Sequence, residues 1–165
     1  MVGEQMSLKP AGRSVPALVV SVLAVAGAAS FGGIFMPGEW YASLERPPLN
    51  PPNWLFGPVW SVLYLMIAVS GWLVWRAEGV GRRRTVGLVV FGVQLVLNAL
   101  WSWVFFGLHE TGWALVEILA LNVAVLGTLV LFWRVNRLAA QLLVPYWLWV
   151  CFASYLTGGY WVLNG

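Results

Sequence analysis

Polar and aromatic side chains recur at helical spacing within segments that are otherwise apolar. The clearest stripe has the spacing i, i+4, i+7 and i+11 and consists of Gln94, Asn98, Trp101 and Phe105. An α-helix places such positions on one face, because it completes a turn every ~3.6 residues. That face combines amide groups with flat aromatic rings, which is the chemistry of a pocket for an apolar ligand that carries a few polar groups.

Three other segments carry stripes of the same kind. Trp60 and Tyr64 are four residues apart in one segment, and Trp113 and Glu117 have the same spacing in another. A longer stripe is formed by Tyr146, Trp149, Ala153 and Leu156. If these stripes converge, the helices enclose an aromatic pocket with a few hydrogen-bonding groups and one carboxyl group.

Each of these features also has a purely structural interpretation. The indoles of Trp60, Trp101 and Trp149 would serve packing as well as ligand contact. Gln94 and Asn98 would hydrogen-bond across helices instead of to a ligand. The carboxyl group would be either protonated and packed or paired near the membrane boundary. The sequence leaves both interpretations open.

The composition excludes several kinds of catalytic site. His109 is the one histidine and Asp is absent, so neither a nucleophilic triad nor a His-based metal or haem site can form. No GxxxxGK[ST] phosphate-binding loop occurs, which argues against an energy-coupled pump. Cys151 stands alone in an apolar run. We therefore predict no metal site, no required cofactor and no nucleic-acid partner.

The segments that must position these side chains are membrane spans. Of the 165 residues, 61% are hydrophobic and 9% are charged, which is too few to cover the surface of a water-soluble domain. Apolar runs long enough to cross about 30 Å of hydrocarbon cover residues 14–36, 54–75, 85–108, 111–133 and 138–163. Their continuous apolar character favours helices over barrel strands. Pro145 and the pair Gly158-Gly159 predict interruptions of the last helix, since a proline removes a backbone hydrogen bond and glycines permit bending or close contact.

We therefore predict an all-α integral membrane protein, a bundle of five transmembrane helices in a single domain over residues 14–165. A polar N-terminal extension, residues 1–13, would precede it. An alternative for the first run is a cleavable signal, since Lys9 and Arg13 precede an apolar stretch that ends in small residues at positions 26–30. The uncharged run continues to Gly38, which favours a retained helix.

The charges predict the orientation of a multi-pass protein. With a cytoplasmic N-terminus, Arg46 is the only basic residue on the far side of the membrane. The cytoplasmic side then holds Lys9, Arg13, Arg76, Arg82, Arg83, Arg84, Arg134 and Arg137. This asymmetry satisfies the positive-inside rule. We therefore predict a cytoplasmic N-terminus in a lipid bilayer, which we expect to be a bacterial cell membrane.

The segment between the first two spans is rich in proline, and residues 47–54 read PPLNPPNW. Together with other motifs, it resembles the translocator protein family (TspO/MBR), also called tryptophan-rich sensory proteins or peripheral-type benzodiazepine receptors. The resemblance covers about residues 30–164. Its motifs are EWY (39–41), PPNW (51–54), GPVW (57–60), LY (63–64), QL (94–95), LN (97–98), W (101), FFG (105–107), GWAL (112–115) and PYxxW (145–149).

This resemblance implies five helices around a ligand pocket that the long first loop closes. The prolines would stiffen the loop across the pocket mouth. It also implies protoporphyrin IX or haem as a ligand, other hydrophobic small molecules as further ligands, and a homodimer. Together with the stripes, it predicts the ligand-binding residues Tyr41, Trp54, Trp60, Tyr64, Asn98, Trp101, Phe105, Trp113, Tyr146, Trp149, Ala153 and Leu156.

The resemblance further implies a reaction. Some bacterial relatives degrade protoporphyrin in light and need two pocket tryptophans, and Trp60 and Trp149 look like their counterparts and candidate catalytic residues. Two positions depart from the family. The stretch 156–164 lacks the basic residue of the cholesterol-recognition segment of animal members, and Leu49 stands where many relatives have tryptophan.

The leading prediction is a membrane tetrapyrrole-binding translocator or sensor, with at most slow photo-oxidative degradation of porphyrin. Two alternatives stay open. One is a regulatory or structural membrane protein that acts through protein partners. The other is a transporter of hydrophobic small molecules.

Overall fold

The computed structural model describes the backbone of residues 11–35, 37–78 and 80–165, and side chains from Val15 onward within those ranges. These residues form α-helices and one π-helical segment, and no β-strand occurs among them. The elements are α1 (Ala11–Ile34), α2 (Glu39–Ser43), α3 (Asn53–Trp75), α4 (Gly81–Ser102), the π-helical segment (Trp103–Gly107), α5 (Thr111–Trp133) and α6 (Arg137–Asn164).

Among the described residues, five helices are long and apolar enough to cross a membrane by length and composition: α1, α3, α4 with the π-helical segment, α5 and α6. The predicted all-α, five-span architecture is therefore confirmed. The bounds of α5 agree with the predicted span 111–133, and α3 and α6 each begin one residue before the predicted spans 54–75 and 138–163.

Two spans begin earlier than the sequence suggests. α4 begins at Gly81 instead of residue 85, so the three arginines of positions 82–84 lie in its first turn. Their long side chains can reach the interface from a helix, which is why charge did not mark the helix end. α1 begins at Ala11, inside the segment predicted as the extension 1–13. Lys9 of that extension and Met36, the predicted end of the first span, lie outside the described residues.

The five long helices form a closed ring. α1 packs against α3, α3 against α6, α6 against α5, α5 against α4, and α4 against α1. α3 and α4 also touch across the ring. A ring of this kind gives each helix an inward face that is shielded from lipid, so side chains from helices distant in sequence can meet inside it.

Small residues and hydroxyl groups hold neighbouring helices close together. The Ser21 Oγ of α1 donates to the Ala68 carbonyl oxygen of α3 at 2.7 Å. A Cβ added at Gly71 would lie 2.9 Å from the same Ser21 Oγ, so glycine is what permits this approach. The Ser70 Oγ of α3 donates to the Ala139 carbonyl oxygen of α6 at 2.7 Å. Such hydrogen bonds and close packing associate helices in lipid, where burial of apolar surface adds little.

The loop between α1 and α3 is fastened to the last turns of α6. The Asn164 side chain makes two bonds to one loop residue: its Oδ1 accepts from the Glu45 backbone N–H at 2.8 Å, and its Nδ2 donates to the Glu45 carbonyl oxygen at 3.0 Å. About two and a half turns earlier on α6, the Tyr155 hydroxyl donates to the Pro48 carbonyl oxygen at 3.1 Å. The loop therefore lies across the end of the ring at which α6 ends.

The predicted interruptions of α6 are wrong, because the helix continues through Pro145 and both glycines. Gly159 serves close contact instead of a bend. Pro47, which is buried, lies so near that a Cβ at Gly159 would be 2.5 Å from the Pro47 Cβ.

Two residues after Pro47 in the loop, Leu49 has a φ of 64° and is 80% exposed. This left-handed conformation is uncommon for a residue with a side chain, so the loop stores some strain there.

α4 changes to a π-helical turn as it reaches the loop. The Leu108 backbone N–H donates to the Trp103 carbonyl oxygen at 2.9 Å, a bond that spans five residues instead of four. The two consecutive rings of this segment, Phe105 and Phe106, both contact Tyr41 of α2, with centroid distances of 6.2 and 5.4 Å. π-helical turns occur frequently at functional sites, and this one meets the loop.

Gly159→Ala is expected to loosen the loop. The added methyl group would overlap Pro47, and overpacking of this kind costs about 1 to 3 kcal/mol. Gly158→Ala is a matched control, because its Cβ would lie 3.7 Å from the Leu115 side chain, an ordinary contact distance. Hydrogen–deuterium exchange should accelerate over residues 44–50 in Gly159→Ala alone. Equal exchange in both variants would show that the Pro47 contact does not hold the loop.

Candidate ligand-binding site

A chain of side-chain hydrogen bonds crosses the interior of the ring. The Tyr64 hydroxyl donates to Asn98 Oδ1 at 3.0 Å, and Asn98 Nδ2 donates to the Tyr146 hydroxyl at 3.2 Å. The Tyr146 hydroxyl in turn donates to Gln94 Oε1 at 2.9 Å. Tyr146 is fully buried, and the two amides are 1% and 5% exposed. The chain joins α3, α4 and α6, and it satisfies the Tyr146 hydroxyl both as donor and as acceptor.

Two buried N–H groups near this chain have no partner among the described residues. They are Gln94 Nε2 and Trp101 Nε1, and both residues belong to one face of α4. A buried polar group without a partner costs about 1 to 3 kcal/mol. Such groups therefore mark places where a ligand or an ordered water is expected. Because both are donors, the missing partner must bring an acceptor, such as a carbonyl or carboxylate oxygen.

Indole rings lie on the loop side of the hydrogen-bonded chain. The Trp60 ring stacks on Tyr64 with centroids 5.1 Å apart and meets the Tyr146 ring edge-on at 6.2 Å. Trp149 lies nearly one turn along α6 from Tyr146, and Trp101 lies nearly one turn along α4 from the asparagine of the chain. All three indoles pack against the central buried cluster but are only partly buried themselves. Each therefore keeps part of its surface accessible.

A second buried cluster closes the interior beneath the loop. The Tyr160 hydroxyl lies 2.8 Å from the Tyr41 hydroxyl and 3.1 Å from Asn50 Oδ1. Since a hydroxyl has one proton and the amide oxygen only accepts, Tyr160 donates to Asn50 and accepts from Tyr41. Trp101 packs against this cluster as well as the central one and stacks on a cluster ring at 5.2 Å. We call this second buried cluster the lid cluster, and its buried members are Tyr41, Phe105, Ala114 and Tyr160.

The structure brings most of the predicted ligand-binding residues to this interior, in the hydrogen-bonded chain, the indole layer, the lid cluster or the inward face of α6. These residues are Tyr41, Trp60, Tyr64, Asn98, Trp101, Phe105, Tyr146, Trp149, Ala153 and Leu156. Their contact with a ligand stays a prediction.

Two predicted residues do not reach this interior. Trp54, at the start of α3, is 71% exposed, and Trp113, near the start of α5, is 68% exposed. The inward positions of the first turns of α5 are taken by Thr111, Ala114 and Ile118, all of which are buried. Trp113 therefore lies on the outer side of the ring.

Tyr160 and Asn50 belong to the site but were not among the predicted residues. Tyr160 continues the inward stripe of α6, since it follows Ala153 by seven positions and Leu156 by four. Extending that stripe would have found it. No periodic signal marks Asn50, which lies in the loop.

The described residues offer no metal site, since no three His, Cys, Asp or Glu side chains among them come together. Cys151 belongs instead to a small polar group between α5 and α6. Its Sγ donates to Asn122 Oδ1 at 3.2 Å, and Asn122 Nδ2 donates to Ser154 Oγ at 2.6 Å. The binding capacity of the interior thus resides in aromatic faces and N–H donors.

These features define a class of protein: a five-helix integral membrane protein with an aromatic, hydrogen-bonding interior under a proline-rich loop. The family model of the TspO/MBR family matches residues 19–162. The chain therefore belongs to the TspO/MBR family, and the resemblance seen in its motifs is confirmed.

Its relatives come from bacteria, archaea and animals. Protein CrtK of Rhodobacter capsulatus is 38% identical over 151 residues, which cover 92% of this chain and 94% of the relative. The human translocator protein is 40% identical over 134 residues, or 79% of each chain. The tryptophan-rich protein TspO of Archaeoglobus fulgidus is 42% identical over 151 residues, which cover 89% of this chain and 96% of the relative.

Tyr146→Phe is expected to lower the free energy of unfolding by about 1 to 3 kcal/mol, because it leaves buried amide groups of Asn98 and Gln94 without a partner. Tyr155→Phe is the control, since its ring is 47% exposed and its hydroxyl bonds only a loop carbonyl. Thermal unfolding in detergent would compare the two. Equal changes in Tm would contradict the central role of the Tyr146 hydroxyl.

Proposed function

We propose that this protein binds tetrapyrroles of the protoporphyrin IX and haem type within the membrane, as a translocator or sensor. The observation that supports this best is the layer of partly exposed indoles, Trp60, Trp101 and Trp149, between the hydrogen-bonded chain and the lid cluster. A tetrapyrrole is flat and largely apolar. It gains stability from stacking on indole rings and from removal of its faces from water.

The polar edge of such a ligand matches the two free donors. Protoporphyrin IX and haem carry carboxylate groups, which only accept hydrogen bonds when ionised. Gln94 Nε2 and Trp101 Nε1 are buried donors without a partner among the described residues. A hydrogen bond from a buried N–H group to a carboxylate is stronger than one between neutral groups. The donors would therefore orient the ligand, while the indoles supply most of the contact area.

The loop would control access to this space. Its prolines limit the conformations it can adopt when open, so closing costs less entropy. Its bonds to Asn164, Tyr155 and Tyr160 must break for a ligand to pass on this side. The names of two relatives agree with a role as translocator or sensor. The human protein is called a translocator protein. The protein of Cereibacter sphaeroides, 35% identical over 139 residues, is called a tryptophan-rich sensory protein.

We extend the proposal to slow, light-dependent loss of bound porphyrin. An excited porphyrin transfers its energy to dioxygen, and the reactive oxygen that results adds to nearby unsaturated rings. Trp60 and Trp149 are the candidate residues, because their indoles lie in the layer where the ligand would stack. Dioxygen is the oxidant, so the reaction should stop when oxygen is removed.

The two other functions that the sequence leaves open stay predictions. Action through a protein partner predicts porphyrin affinity no higher than that of an unrelated tryptophan-rich membrane protein. Transport predicts saturable movement of ligand into proteoliposomes, which protein-free vesicles would lack.

Binding is tested by quenching of tryptophan emission when protoporphyrin IX is added to protein in nanodiscs. Trp101→Phe keeps an aromatic ring but removes the N–H donor, so affinity should fall by about tenfold or more. Trp133→Phe is the control, since that indole is 45% exposed and lies at the last residue of α5, at the end of the ring of helices away from the loop. If the two variants bind alike, the Trp101 donor does not contact the ligand, and if the wild type shows no saturable quenching, the proposed binding function is wrong.

The reaction is tested by the porphyrin absorption band of the bound complex under illumination in air. The double variant Trp60→Phe with Trp149→Phe should lose the light-driven decay, while Trp75→Phe with Trp133→Phe should keep it, because both control rings lie 45% exposed at the far ends of their helices. A decay rate unchanged in the first variant removes the chemical role of these indoles and leaves binding intact.

A further inference from the structure

A groove lies on the outer side of the ring, where the π-helical segment meets α5. It has a volume of about 330 Å³, and its walls are mainly apolar, with Val104 on one side and Trp113 and Val116 on the other. Two carboxyl residues also line it, Glu110 near the mouth and Glu117 deeper along α5. Trp113 is 68% exposed, so this groove opens away from the interior that holds the lid cluster.

The Glu117 carboxyl group has no partner in the part of the chain that the structure describes. Both of its oxygen atoms are inaccessible, and neither accepts a hydrogen bond there. A carboxyl group in an apolar setting is costly unless it is paired, so a residue of this kind inside a span is expected to have a function. The structure thus leaves two unpaired hydrogen-bond acceptors enclosed behind the apolar wall of the groove, and a ligand in the groove reaches them when the Glu117 side chain turns toward it.

The charges around the groove define what would pair with Glu117. The groove is lined by two acidic residues, and none of the described residues that line it is basic. The Trp113 indole also lines the groove but does not donate to Glu117, and the imidazole of His109 stacks on Trp40 at 4.2 Å and does not line the groove. Charge complementarity therefore favours a cationic group, and the apolar walls favour a compact apolar body attached to it.

We propose that this groove is a binding site for lipophilic amines. The apolar body lies between Val104 and Val116, and the ammonium N–H groups donate to the Glu117 carboxylate, with Glu110 adding attraction at the mouth. Ammonium and carboxylate neutralise each other inside the apolar environment, which removes the cost of the unpaired group. The groove opens on the outer side of the ring, and the proposal does not depend on the assignment of the interior to tetrapyrroles.

The depth of Glu117 favours a membrane-partitioned amine over the headgroup of an aminophospholipid. Glu117 follows Thr111, the first residue of α5, by six positions, which corresponds to about 9 Å along the helix. The amine of a lipid headgroup stays in the interfacial layer, whereas a small amine with one apolar arm can carry its charged group down to this carboxyl. The site therefore selects molecules whose amine and apolar body are adjacent.

The test uses the full chain in phosphatidylcholine nanodiscs and equilibrium dialysis, with empty nanodiscs subtracted. The probe is a naphthalene joined by a short linker to a dimethylamine, and its matched neutral isostere has CH(CH₃)₂ in place of the amine. We expect the protein to bind the amine about 10- to 100-fold more tightly than the isostere, the range for a hydrogen bond to a charged group. Glu117→Gln should abolish that preference.

Glu39→Gln is the matched control, since Glu39 is an exposed carboxyl of α2 at the same end of the ring. It should keep the preference for the amine, and loss of the preference there would assign the effect to general surface charge and overturn the proposal. Ala120→Trp, which fills the groove, should weaken binding of both probes. Equal binding of amine and isostere by the wild type, or unchanged amine binding by Glu117→Gln, would also overturn it.

Two further arms separate this site from its alternatives. Saturating protoporphyrin IX should leave amine binding by the wild type unchanged, and competition between them would place the amine in the interior instead. Addition of phosphatidylethanolamine to the nanodiscs should not displace the probe, and displacement would assign the groove to a lipid headgroup. Each variant is first compared with the wild type by size-exclusion chromatography and Tm, so that a change in binding is not confused with misfolding.

Discussion

The hydroxyl group of Tyr146 is the point at which the interior of the bundle is held together. It lies where neither water nor lipid can serve as a partner, so each polar group around it must be paired within the protein. It accepts from Asn98 and donates to Gln94, while Asn98 also accepts from Tyr64, so the rotation of three helices is fixed together. Rotation of any one of these helices by one residue position would carry its hydrogen-bonding side chain about 100° around the helix axis and break these bonds. The same bonds therefore decide which way the indoles of Trp60 and Trp149 face.

The last helix connects this interior to the loop. Tyr146 and Tyr160 are 14 positions apart on the continuous helix α6, which corresponds to about 21 Å. Tyr160 bonds the loop through Asn50, and Asn164, one turn further, holds the loop backbone. Because one rigid element carries both sets of bonds, the position of the loop is set by the packing of α6 in the ring. A ligand that displaces side chains around Tyr146 would then act on the loop through α6 without touching it.

The sequence predicts the parts of this structure that depend on local pattern. Hydropathy fixes the five spans, and helical periodicity places Gln94, Asn98 and Trp101 on one face, because both signals are carried by neighbouring residues. The two bonds between Asn164 and Glu45 join residues 119 positions apart, and no local pattern encodes them. The π-helical turn and the exposure of Trp113 escaped prediction for the same reason, since each depends on what the neighbouring helices already occupy.

Unpaired buried groups of two opposite kinds occur among the described residues of the interior and of the outer groove. The interior leaves donors open on α4, so it suits a ligand with acceptors, whereas the outer groove leaves the acceptors of Glu117 open and suits a ligand with donors. The π-helical segment forms part of the wall between them: Val104 lines the groove, and the next residue, Phe105, lies buried in the lid cluster. Because consecutive residues of one turn contact the groove and the lid cluster, a movement of this segment would change the packing on both sides. π-helical turns are frequent at functional sites, and this one lies between the proposed groove and the lid cluster.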